Sequence, residues 1–177
     1  MPALTGPPMD PTPARPEPAS PVLDAGLCAF IRQGVSIGVA TRDASLRPHV
    51  VRALGCRHDG RRVVLFVPSG QAHAVLDDVA ATGQVAVVFS QPSTHRTYQL
   101  KGRDACAVPL DEADRRLAFE CSNAFAADLR SVGYSQAFTA ALLRGLDDEI
   151  AGIAFTPAEA FEGTPGPRSG RPLRGAA

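Results

Sequence analysis

A chain of 177 residues, 45% hydrophobic and 20% charged, is long enough for one substantial core and has the composition of an ordinary globular protein. Eighteen basic residues balance eighteen acidic ones, so no overall field draws the molecule to nucleic acid or to an anionic membrane, and any anion site must be local. No apolar run approaches the roughly 20 residues that span a bilayer, and no basic-then-apolar leader opens the chain, so a cytoplasmic location is expected.

The first 21 residues hold eight prolines, which removes amide donors and leaves few apolar side chains. A disordered tail is expected over 1–22, then one domain over 23–163, then a flexible basic tail over 164–177 with Arg168, Arg171 and Arg174. Within the domain, Leu27, Phe30 and Ile31 recur at helical spacing behind a capping Asp24. VSIGVAT, from Val35 to Thr41, alternates bulky with small residues, the period of a strand with one small face. Pro48 to Arg57 and Arg62 to Pro68 are β-branched runs joined by His58, Asp59 and Gly60, a strong hairpin signal.

The period then changes. Ala72, Val75, Leu76, Val79 and Ala80 form a helical stripe, with Ser69 near its start and Gly83 just past its end. VAVVFS, from Val85 to Ser90, is a near-continuous apolar strand. Gln91 and Pro92 break it, and alternation resumes from Thr97 towards Val108. Asp111 caps a long helix whose stripe is Leu117, Cys121, Phe125 and Leu129, and a shorter helix with Phe138 and Leu142 runs from Ser135 to Leu143. A last strand covers Glu149 to Phe155. The count predicts an α+β fold, mainly β: a small six-stranded antiparallel barrel closed by its last strand, with flanking helices.

Cys28, Cys56, Cys106 and Cys121 form no CxxC pair, so reduced structural thiols and no metal site are expected. The chain has seventeen arginines and one lysine, Lys101, which falls in the polar stretch FSQPSTHRTYQLKG. From pattern alone, Thr97, Gln99 and Lys101 read as the wet face of an edge strand. Arg52 can pair with a carboxylate such as Asp59, and His49, His58 and His95 read as structural or solvated residues.

The order of VSIGVATRDASLRPHVV, the HDG hairpin, VPSGQAHAVLDDVAATGQVAVVFS and THRTYQLKG resembles the pyridoxamine 5'-phosphate oxidase-like, FMN-binding split-barrel superfamily, over about Asp24 to Gly163. The resemblance implies a six-stranded antiparallel split β-barrel with flanking helices, in a homodimer with FMN in the groove between protomers, acting as a flavin-dependent oxidoreductase on a small molecule. By the same resemblance, Ser69 and Gln71 at the helix start, with Arg52 and His73, would hold the phosphate, and Thr97, Gln99 and Lys101 would face the flavin ring. His73 departs from the Lys or Arg usual in similar proteins. The C-terminal FEGTPGPRSGRPLRGAA has Arg but lacks the His that would grip a vitamer phosphate, so true pyridoxamine 5'-phosphate oxidase activity is not expected. Two alternatives stay open: a non-catalytic module of the same fold holding flavin, a deazaflavin or haem, with His73 or His95 as axial ligand, and a cofactor-free interaction protein.

Overall fold

The computed structural model describes residues 22–143 and 149–173; nearly all of the expected N-terminal tail lies outside them. Asp24 caps α1 (Ala25–Ile31), its Oδ1 accepting the Leu27 N–H at 2.7 Å. The strands are β1 (Ser36–Arg42), β2 (Pro48–Ala53), β3 (Gly55–His58), β4 (Val63–Pro68), β5 (Val85–Ser90), β6 (Thr97–Gly102), β7 (Cys106–Val108), β8 (Ile150–Phe155) and β9 (Glu159–Glu162). They form two antiparallel sheets, ordered β2-β1-β5-β6-β9 and β3-β4-β8-β7.

The six strand segments read from the sequence are all present, and two of them are bent. Pro48 to Arg57 divides at Leu54 into β2 and β3, and Thr97 to Val108 divides after Gly102 into β6 and β7. Each half joins a different sheet, so these bends link the two halves of the split barrel. At the first bend the Leu54 N–H donates to the Phe66 carbonyl at 2.7 Å, and Ala53 to Cys56 are all buried. A run buried on every side carries no period-two signal, so the bend is invisible to alternation. The β3–β4 hairpin turns at Gly60, whose φ of +88° suits glycine, while Asp59 accepts from the Arg61 and Arg62 amides.

Ile37, Val39, Val87, Phe89 and Leu100 of the larger sheet meet Val63, Leu65, Val67, Ile153 and Phe155 of the smaller one in a single core. Burying each such side chain contributes about 1.5–3 kcal/mol relative to leaving it exposed. α2 (His73–Thr82) adds Val75 and Val79 to that core and ends at Gly83 with φ +62°. Its buried Asp78 accepts from the Thr41 hydroxyl at 2.7 Å and lies 2.8 Å from His49 Nδ1. α3 (Glu112–Ser131) opens on a full capping box of Asp111 and Asp114 and packs on β3. There Asp114 meets Arg57 Nε at 2.6 Å, and the Ser122 hydroxyl donates to the Leu54 carbonyl at 2.9 Å.

Ser69 lies near the start of α2, in a 3-10 turn, Ser69–Gln71, and Ala72 stands at the cap position. Two local readings need correction. In α4 (Gln136–Leu142) Phe138 turns outward and stacks on Tyr134 at 4.8 Å, while Thr139 takes the buried position. Part of the segment assigned to the C-terminal tail is structured: Glu162 N–H donates to the Arg171 carbonyl, Gly170 N–H to the Glu162 carbonyl, and Leu173 N–H to the Ala160 carbonyl. These bonds lay residues 163–173 back along β9, which proline and glycine content alone does not reveal.

Candidate functional site

The outer face of the larger sheet is ordered in rows by strand register. One row runs Arg52, Gly38, Val88, Gln99, Phe161 across all five strands, and the next runs Val50, Ala40, Ala86, Lys101, Glu159. Ser36, Ser90 and Thr97 form a third on the other side. The centre of this face is small, because β1 and β5 present Gly38, Ala40, Ala86 and Val88 outward, and none of these belongs to a core cluster. A Cβ added at Gly38 would meet no atom within 4 Å. The result is a flat floor with functional groups along its edges.

Two hollows lie on this face. Thr97, Gln99, Val88 and Phe161 line one of about 360 Å³, together with Ser169 and Gly170 of the folded-back C-terminal segment. Lys101, Arg42, Arg103 and Glu159 surround a second of about 230 Å³, floored by Ala40 and Ala86. The Lys101 ammonium stands over the Phe161 ring at 4.6 Å, on the boundary between the two. Among the described residues Gln99 has no side-chain hydrogen-bond partner, whereas the Thr97 hydroxyl bonds Ser90 Oγ at 2.9 Å. The Thr97 backbone is tied to Thr164, whose hydroxyl accepts from the Thr97 N–H at 3.0 Å.

Arg52 is on the same face, three strand spacings and so about 14 Å from Gln99. Its guanidinium donates to Ser36 Oγ at 2.7 Å and lies over the Phe125 ring of α3, 5.4 Å from the centroid. It does not pair with Asp59, which is occupied by its own hairpin turn.

The remaining expected residues stand apart from this group. Ser69 is half-buried, its N–H donating to the Glu149 carbonyl at 2.8 Å, and Gln71 and His73, just before and at the first residue of α2, are exposed. The first turn of α2 has neither an acidic residue nor a side-chain cap, so its amides are available to an anion. The structure therefore groups Arg52, Thr97, Gln99 and Lys101 on one sheet face and leaves Ser69, Gln71 and His73 together at a helix start. His95 sits at an exposed corner with φ +57°, and neither it nor His73 lines either hollow.

Sequence reasoning missed Arg42, Phe161 and Ser169, and left Arg103 out of the site although alternation sets it on the same side as Lys101, two residues away. Arg42 ends β1, and only the sheet register brings it beside Lys101. Phe161 had no visible strand around it, and Ser169 lay in the expected tail. All four cysteines are free thiols. Burial pushes the Cys56 and Cys121 thiols up, as suits packing residues rather than nucleophiles. Among the described residues no group of His, Cys, Asp and Glu could hold a metal, and no helix is long and apolar enough to cross a membrane.

No family model matches the chain, and no curated protein is similar to it in sequence. Its likeness is to solved structures. HupZ of Group A Streptococcus superposes with a TM-score of 0.50 at 15% identity, over 84% of this chain and 99% of that one. A Clostridium acetobutylicum protein of the pyridoxinephosphate oxidase family, related to general stress protein 26, gives 0.44 at 12% identity over 78% and 84%. HutZ, the haem storage protein from Vibrio cholerae, gives 0.47 at 16% over 80% and 96%. The likeness to HupZ bears on the fold alone: two antiparallel sheets joined through bent strands, with α3 packed along β3, give the chain a split-barrel fold.

Proposed function

We propose that this protein is a homodimeric, FMN-binding oxidoreductase that acts on a small molecule, with the cofactor held against the outer face of the five-stranded sheet. The observation that carries the reading is the flat floor of Gly38, Ala40, Ala86 and Val88, edged by the unpaired Gln99 amide, Lys101 and Arg52. A fused planar ring needs such a floor, since a larger side chain at Gly38 would lift it off the sheet. Val88 and Phe161 supply apolar walls. Val50 is 71% exposed on the same face, so a second copy of the chain laid across it removes apolar surface from water.

The residues present fit the group unevenly. Gln99 can donate to a ring carbonyl, and Lys101 places positive charge where a reduced ring gathers negative charge. The Thr97 hydroxyl is shared with Ser90 and serves mainly to orient the strand edge. For the phosphate, the uncapped first turn of α2 offers backbone donors, Ser69 a hydroxyl, Gln71 an amide and His73 an imidazole. Arg52, on the sheet face, provides a cation. The flavin, when bound, supplies the hydride or electron chemistry. The protein's part is to position the ring, exclude water and hold a compensating charge.

The test is direct. The purified full chain is expected to be yellow, or to take up added FMN with quenching of flavin fluorescence, and to elute as a particle of twice the 18.5 kDa chain mass. A flavin-free protein that takes up no FMN would overturn the reading. A haem spectrum would replace it with the binding-module alternative.

A further inference from the structure

We infer that the second hollow, around Arg42, Lys101 and Arg103, is an oxyanion subsite that anchors the carboxylate or phosphate of the substrate. The position of this subsite relative to a reacting ring rests on the flavin reading above; its charge does not. Three cations face one carboxylate, Glu159, in a protein whose formal net charge is zero. Lys101 is half-buried and, among the described residues, its ammonium meets only the Phe161 ring. Arg42 donates to the neighbouring Asp43 carbonyl at 3.1 Å, which leaves most of its donors unused. Arg103 meets Glu159 at 3.5 Å, but that pair is solvent-exposed, and exposed pairs are worth about 0–1 kcal/mol, so an incoming oxyanion can take the guanidinium over.

Position gives the hollow a role. Ala40 and Ala86 continue the flat floor from Gly38 and Val88, so both hollows share one surface, with Lys101 and Phe161 on their boundary. Lys101 is one pleat repeat along β6 from Gln99, about 7 Å. A small substrate with its reacting carbon beside the ring at Gln99 would therefore place an anionic arm between Arg42 and Lys101. Arginine favours planar, bidentate oxyanions, and the hollow of about 230 Å³ has room for one.

Amide resonances of the full chain should report the site. Titration with inorganic phosphate, and separately with succinate, is expected to shift the Ala86 and Gly102 amides saturably at millimolar concentration, with the tighter probe identifying the preferred group. The double variant Arg42→Gln/Arg103→Gln should weaken this about tenfold or more, and Arg103→Glu, which changes one exposed side chain, should do so without touching the fold. Arg47→Gln, on the exposed β1–β2 turn, should leave it unchanged. FMN uptake is followed in parallel. Saturable binding with FMN retained supports the subsite, and saturable binding by a chain that takes up no FMN supports it while removing the flavin reading. Absence of saturation, indifference to the Arg103 change, or displacement of FMN by phosphate at these amides would each overturn it.

Discussion

On β1 the side chains of Ile37, Val39 and Thr41 turn inward and those of Ser36, Gly38 and Ala40 outward, so one strand belongs to two different environments. Inward, Val39, Val87, Phe89 and Leu100 are wholly buried, and Gly102 is a glycine because an added Cβ would sit 2.6 Å from the Phe155 ring. Outward, Gly38 is a glycine with open space above it. The polar groups divide in the same way. At the inner rim Asp78, Thr41 and His49 satisfy one another, whereas on the outer face Gln99 and Lys101 stand without polar partners among the described residues.

The largest effect separating the two faces should come from truncating neighbours on β5. Phe89→Ala empties a fully buried site and is expected to cost about 3–5 kcal/mol in urea unfolding, enough to unfold a marginal domain. Val88→Ala, one residue away on the outer face, should cost no more than about 1 kcal/mol. Equal costs would mean that the outer face is packed by the chain itself.

Next in size is Asp78. Burial raises its pKa, but the hydrogen bonds from Thr41 and His49 and the charges of His49 and Arg42 outweigh burial and hold the carboxyl below its ordinary value. A depressed carboxylate stabilises the fold above its unfolded pKa of about 4, and that stability is lost as pH falls through the folded value. Asp78→Ala leaves the Thr41 hydroxyl and His49 without their acceptor and should cost about 2 kcal/mol at neutral pH. The gap between the variant and the parent should narrow below about pH 4. A gap that stays constant down to acid pH would show that packing, not the carboxylate's charge, is what the substitution removes.

The two faces were not equally legible in the sequence. Inner positions announce themselves through periodicity: Ile37, Val39, Val75, Val79, Phe125 and Leu129 fall where burial requires. Caps were legible where a side chain makes the bond, as at Asp24 and Asp111, whereas the 3-10 turn Ser69–Gln71 ahead of α2 gave no such signal. The outer face depends on register between distant strands. Nothing local to Arg42 says that it lies beside Lys101, and nothing in a Pro- and Gly-rich terminus says that Ser169 returns to Gln99. The strand bends at Leu54 and after Gly102 were hidden because a segment changing sheets is buried on both sides or interrupted by glycine.

The smallest effect on stability should bring the largest effect on binding. Gly38→Val adds a branched side chain to a central strand, at a position where a Cβ meets nothing within 4 Å. β-Branched residues suit a strand better than glycine, so stability should stay within about 1 kcal/mol of the parent or rise slightly. The two methyl groups would stand on the floor between Arg52 and Val88, where the ring is proposed to lie. FMN affinity should fall about tenfold or more, because the ring cannot both clear the methyls and keep its contact with Gln99, and the dimer mass is to be measured alongside, since a partner chain would press on the same residue. A Gly38→Val protein that is stable, dimeric and binds FMN as the parent does would move the cofactor off this face. One that is stable but binds no FMN would tie the open space above Gly38 to the cofactor, because the same change on the inner face, at Gly102, should instead unfold the chain.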